Sequence, residues 1–139
     1  MERNIIRHPR IGEVYQIKFE GRGSVQDGWR PGVVIQNNIG NIYSPNIIAV
    51  PLTSALKKEH QPTHVFLPAK EVGLKLDSVV LCENPETISK ESVGKYITNI
   101  PQKYMSEIAT ALMFSIPMLC FLKEKEISNI WYKTSKLVL

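Results

Sequence analysis

Apolar and polar positions alternate cleanly in "EVYQIKFE", residues 13–20: Tyr15, Ile17 and Phe19 fall on one side, Gln16 and Lys18 on the other. A period of two is the mark of a half-buried strand. "GRGSVQDG" at 21–28 brings three glycines and reads as a loop. "PGVVIQN" and "NIIAVPLT" (46–53) then read as strands on either side of an Asn/Gly/Ser/Pro connection, "NIGNIYSP". "THVFLP" (63–68) and "DSVVLCE" (77–83) supply two more, "ETISKESVG" a short helical turn starting near Ser89, and "KYITNI" (95–100) a further strand.

After this the period changes. Tyr104, Ile108, Ala111, Leu112 and Ser115 lie on one helical stripe, predicting an amphipathic helix over 101–115. Asn99 and Gln102 have capping-box spacing, Pro101 is acceptable in a first turn, and Pro117 ends the run. Ile127, Ile130, Trp131, Thr134 and Val138 repeat at helical spacing and predict a second terminal helix. Five or six short strands followed by helices predict a mainly β fold with C-terminal helices, a small curled barrel.

A chain of 139 residues with 43% hydrophobic content holds one core and one domain. Lysine and arginine exceed aspartate and glutamate by 17 to 13, a net +4 that fits a polyanionic partner and an ordinary globule equally well. The N-terminal stretch lacks the apolar run of a secretory signal, and the greasiest segment, 108–122, contains Pro117 and is too short for a membrane span. Cytoplasmic location without membrane contact is expected. Cys82 and Cys120 both lie in apolar runs and are expected as buried thiols.

Several chemistries drop out. Asp27 and Asp77 are the only aspartates and the glutamates are scattered, so converging carboxylates for two metals are absent; neither CxxC nor HExxH occurs. No metal or cofactor is expected. "GRGSVQ" starts like a dinucleotide fingerprint, but its sixth position is Gln26 and a strand follows it. His60 and His64 are separated by "QPT", which rules out a helical metal pair; His64 reads as a strand residue on a half-exposed sheet face, and His8 as solvated.

Arg30 is left. Permanently charged and followed by Pro31, it suits a two-pronged grip on phosphate or carboxylate, and it equally suits an ion pair with Asp27 or Glu83 or a stack on Trp29. Trp29 reads as a core or interface aromatic, or as a stacking platform for a base.

"GEVYQIKF", "GSVQDGWRPGVVIQNNIGNIYSPNIIAVPLTS", "PTHVFL", "DSVVLCEN" and "YITNI" resemble, in order and spacing, the MazF/PemK toxins of bacterial toxin–antitoxin pairs, over about residues 11–116. The resemblance implies a compact SH3-like barrel of the CcdB/MazF kind, assigned to 1–117; the tail 118–139 lies outside it and is expected as a helical extension packed on the barrel, or as a dimer or antitoxin contact through Trp131. It also implies a homodimer and a metal-independent, cofactor-free endoribonuclease acting on single-stranded RNA and held in check by an antitoxin. The ribose 2′-hydroxyl attacks the adjacent phosphorus, leaving a cyclic phosphate and a 5′-hydroxyl. The paired catalytic residues fall on Arg30 and Thr53, and groove-lining, RNA-reading positions on Ser24, Gln26, Asn37 and Asn84. A fixed guanidinium and a neighbouring hydroxyl suit a reaction whose nucleophile belongs to the substrate.

Two positions depart from the family pattern: Val25 stands where a glutamate is frequent, and Glu86 where an arginine is common, which would set negative charge beside the groove. The same barrel also allows a binding module that has lost its chemistry, or a gyrase poison like CcdB. The last depends on a tryptophan at the extreme C-terminus, and Trp131 stands eight residues back.

Overall fold

The computed structural model describes residues 8–21, 28–56 and 61–138. The strands are β1 (Glu13–Phe19), β2 (Gly28–Val34), β3 (Asn46–Thr53), β4 (His64–Leu67), β5 (Ser78–Leu81), β6 (Glu86–Ser89) and β7 (Val93–Asn99); the helices are α1 (Asn38–Tyr43), α2 (Ala69–Val72), α3 (Gln102–Ser115) and α4 (Glu124–Val138). All pairings are antiparallel, in the order β4-β5-β3-β2-β1-β7, with β6 also on β3. β3 is the hub, meeting β6 along 46–49, β2 along 49–51 and β5 at 52–53.

Both faces of the sheet are buried, by different means. Tyr15, Ile17, Phe19, Val34, Ile47, Ala49 and Ile88 form one cluster contributed by strands alone. A sheet can cover its own face only by curling, which gives the barrel character. The opposite face, with Val14, Val33, Val50 and Leu52, packs against Tyr104, Ile108 and Ala111 of α3. β1 is therefore apolar on both sides near its start, because Val14 meets α3 while Tyr15 points into the curl. Gly32 permits the tight curl: a Cβ there would sit 2.6 Å from Phe19 Cζ.

Three local expectations need correction, and one is met with an addition. The 38–45 connection contains α1, because Asn37 Oδ1 accepts from Gly40 N at 2.8 Å and caps a turn that sequence composition disguised. The helical turn expected near Ser89 is present as a 3-10 turn over Lys90–Ser92, and "ETIS" before it is an additional strand, with Ile88 buried while Thr87 and Ser89 stay exposed. Asn99 does not cap α3, since its Oδ1 accepts from the Tyr96 hydroxyl and Pro101 occupies the cap position. Cys120 is exposed, in a 3-10 turn beyond α3, whereas Cys82 is buried.

α2 ends at Gly73, which takes φ +77°. A side chain there would be strained, and its Cβ would lie 2.7 Å from Thr98 Oγ1, the atom that donates to Val72 O. This close approach ties the α2 turn to β7. α4 touches α1, and its side chains from Glu124 to Lys133 are exposed.

Candidate functional site

An open cleft of about 1120 Å³ lies over the ends of β2 and β3. The β2–β3 register pairs Gly32 with Pro51 and Val33 with Val50. That pairing stops at Gly32 and Pro51; beyond it Thr53 pairs with Val79 of β5, and Arg30 and Thr53 both line the cleft. Pro31 and Pro51 lack N–H groups, which weakens the ladder just where the strands open into the cleft.

Arg30 is half-exposed at the rim. The Thr53 hydroxyl accepts from Ala55 N at 3.2 Å, so its own hydrogen remains available to a ligand. The turn after β5 brings Glu83 and Asn84 to the same cleft. Glu83 is the one carboxylate among the described lining residues, against the cations Arg30, Lys75 and Lys95. Positive charge dominates, as a polyanion requires. Trp29 (58% exposed) and Tyr96 (40%) present aromatic surface at the walls.

Glu83 is held from behind. His64 Nε2 lies 2.8 Å from Glu83 Oε1, with the His64 side chain buried and that of Glu83 37% exposed toward the cleft. The expectation that His64 stands on a half-exposed sheet face is therefore corrected: β4 turns it inward, where Glu83 satisfies it. Burial, reinforced by the neighbouring Glu83 charge, pushes the Cys82 thiol up to about 12.

The structure gathers Arg30, Thr53 and Asn84 and keeps Asn37 apart. Asn37 is spent on the α1 cap and does not line the cleft. Ser24, Gln26, Val25 and Asp27 lie outside the described residues. Glu86 sits in the β3–β6 ladder opposite Ala49, also outside the cleft lining, so it does not set its charge there. Sequence reasoning missed Gln16, Lys75, Lys95 and Tyr96 as lining residues and treated Glu83 only as a possible partner of Arg30. Only the polar side of β1 hinted at Gln16. Among the described residues, no group of three or more His, Cys, Asp or Glu could hold a metal ion, and no helix is long and apolar enough to cross a membrane.

Residues 10–116 match the family described as PemK-like, MazF-like toxin of type II toxin–antitoxin systems. The chain belongs to that family. It is 40% identical over 99 residues to Endoribonuclease EndoA of Bacillus subtilis (strain 168), covering 71% of this chain and 85% of that protein. It is 38% identical over 108 residues to Endoribonuclease MazF of Staphylococcus epidermidis, 77% of this chain and 90% of the relative. A solved mycobacterial endoribonuclease in complex with its cognate antitoxin superposes with a TM-score of 0.63 at 28% identity, over 78% of this chain and 95% of that one. The PemK/MazF match takes in the whole sheet, the cleft and α3; the 3-10 turn from Pro117 and all of α4 lie beyond it.

Proposed function

We propose that this member of the PemK/MazF family is a cytoplasmic, homodimeric endoribonuclease toxin that cuts single-stranded RNA without a metal ion. The observation that carries the reading is that Arg30 and Thr53 line one open cleft beyond the end of the β2–β3 pairing, and that the charge of this cleft is mainly positive. Family membership and the endoribonuclease names of its relatives support the same conclusion.

RNA enters with its backbone along Lys75, Lys95 and Arg30, and unstacked bases lie on Trp29 and Tyr96. Asn84, together with Ser24 and Gln26, hydrogen-bonds base edges. The scissile phosphate sits between Arg30 and Thr53. The substrate 2′-oxygen forms the new bond to phosphorus, and the bond from phosphorus to the 5′-oxygen breaks. The products are a 2′,3′-cyclic phosphate and a 5′-hydroxyl. Arginine is a poor base at neutral pH, so Glu83, steadied by His64, accepts the 2′-hydroxyl proton. Water in the open cleft protonates the departing 5′-oxygen. Arg30 and the Thr53 hydroxyl bind the charge that builds on the phosphorane oxygens, each contributing about 2–4 kcal/mol to the barrier reduction.

A cognate antitoxin silences the enzyme by laying an acidic or apolar segment in the same cleft, a reading supported by the antitoxin-bound structural relative. The test is incubation of the purified protein with a long single-stranded RNA in excess EDTA, with fragment ends mapped. Discrete fragments carrying cyclic phosphate are expected. RNA that is bound and left whole would assign the fold a binding role instead.

A further inference from the structure

The C-terminal part of the described chain, which the family match leaves out, is also its most exposed apolar surface. α4 shows Ile127 (47% exposed), Ile130 (52%) and Trp131 (68%) on one side, and the preceding turn adds Met118 and Phe121. α1, which α4 touches, continues the patch with exposed Ile39, Ile42 and Tyr43. Isolated exposed hydrophobics need no explanation; a run of them along one amphipathic helix does.

The charges beside the patch select what covers it. Ile127, Ile130 and Thr134 fall at the apolar positions of a heptad pattern, and Glu126 and Lys133 stand seven residues apart on one flank of that seam. In an antiparallel two-fold pair of helices, that flank of one copy faces the same flank of the other. Glu126 then meets the partner's Lys133, and by symmetry Lys133 meets the partner's Glu126. One surface thus supplies both halves of two ion pairs, as an isologous contact demands. A parallel pair would set Glu126 against Trp131 and Lys133 against the apolar position 138, leaving both charges unmatched. An acidic partner would suit Lys133 and repel Glu126, and a basic one the reverse.

We infer that α4 is a self-association element, pairing antiparallel with α4 of a second copy of this chain through the Ile127–Ile130–Trp131 face and two reciprocal Glu126–Lys133 ion pairs. The inference is independent of the RNA chemistry, because no α4 residue lines the cleft.

Sedimentation velocity on the full chain at low salt tests it. Lys133→Glu and Glu126→Lys each turn both attractions into repulsions and should weaken this association about tenfold. Glu126 also accepts from Lys123 N at 3.5 Å at the helix entry, a contact that Lys133→Glu leaves intact, and circular dichroism checks that the helix persists in each variant. The double exchange Glu126→Lys/Lys133→Glu should restore wild-type association, and a mixture of the two single variants should form mixed pairs more readily than either forms with itself. The proposal fails if both single variants keep the wild-type molar mass at every concentration, which would place any dimer contact elsewhere. It fails equally if the double exchange and the mixture do not recover what the single variants lose.

Discussion

His64 Nε2 and Glu83 Oε1 are 2.8 Å apart, linking strand β4 to the turn that carries Glu83 into the cleft. The pair ties a buried ring to a half-exposed carboxylate, so one end is fixed by packing while the other meets solvent and substrate. If Glu83 takes the 2′-hydroxyl proton, Glu83→Gln keeps the shape and removes the base. Cleavage under single-turnover conditions should fall about a hundredfold or more, with RNA affinity held or slightly raised by the lost negative charge. His64→Ala should cost less, about tenfold, because Glu83 remains but is no longer aimed. Equal losses in affinity and rate would show the pair to be merely structural.

The two thiols should differ sharply. Cys120 is exposed, while Cys82 is buried with its thiol pushed up to about 12, chiefly by burial and then by Glu83. A thiol-titrating reagent at pH 8 should modify one cysteine in the native protein and two after unfolding, and Cys120→Ser should abolish the native reaction. The same shift makes stability depend on alkaline pH. Above the ordinary thiol value of 9.0 the unfolded chain loses a proton that the folded chain keeps until about 12. The unfolded state then binds fewer protons, so unfolding free energy falls as pH rises from 9 toward 12. Urea midpoints across that range should decline, and Cys82→Ala should flatten the decline.

Gly73 offers a backbone test. Its φ of +77° and the 2.7 Å that would separate an added Cβ from Thr98 Oγ1 oppose any side chain. Gly73→Ala should cost about 1–3 kcal/mol in chemical unfolding. The α2 turn lies at the cleft wall, so RNA affinity should drop as well.

Cleft charge should appear as salt dependence. Lys75→Ala or Lys95→Ala should weaken RNA binding in a largely sequence-independent way. Each should also reduce the slope of log affinity against log salt by roughly one phosphate contact, about 0.7 for a single strand. An unchanged slope in both variants would take the RNA backbone elsewhere.

How much of this could be read in the sequence depends on the range of the interaction. β1 and α3 were legible because periods of two and of 3.6 are local and each element buries one continuous stripe. Arg30 and Thr53 were picked out by family likeness, and only the assembled sheet brings both to one cleft. The capping role of Asn37 was not legible, because an exposed amide in a polar stretch serves as a helix cap or as a ligand contact with the same local sequence around it. Glu83 went unassigned because its partner, His64, stands nineteen residues away across the β4–β5 hairpin. Lys75, Lys95 and Tyr96 reach the cleft from a turn and an edge strand whose closure no local pattern announces. Positions fixed by long-range pairing stay hidden until the sheet is assembled.

Arg30→Ala gives the most direct test of the central claim that a fixed cation and a neighbouring hydroxyl stabilise the phosphorane while the RNA attacks itself. Single-turnover cleavage of a mapped RNA site should be measured in EDTA alongside the dissociation constant for the same RNA. A rate loss of about a hundred- to a thousandfold with affinity changed only a few-fold is the expected result. Cleavage at the wild-type rate, or a loss that tracks binding alone, would contradict the account.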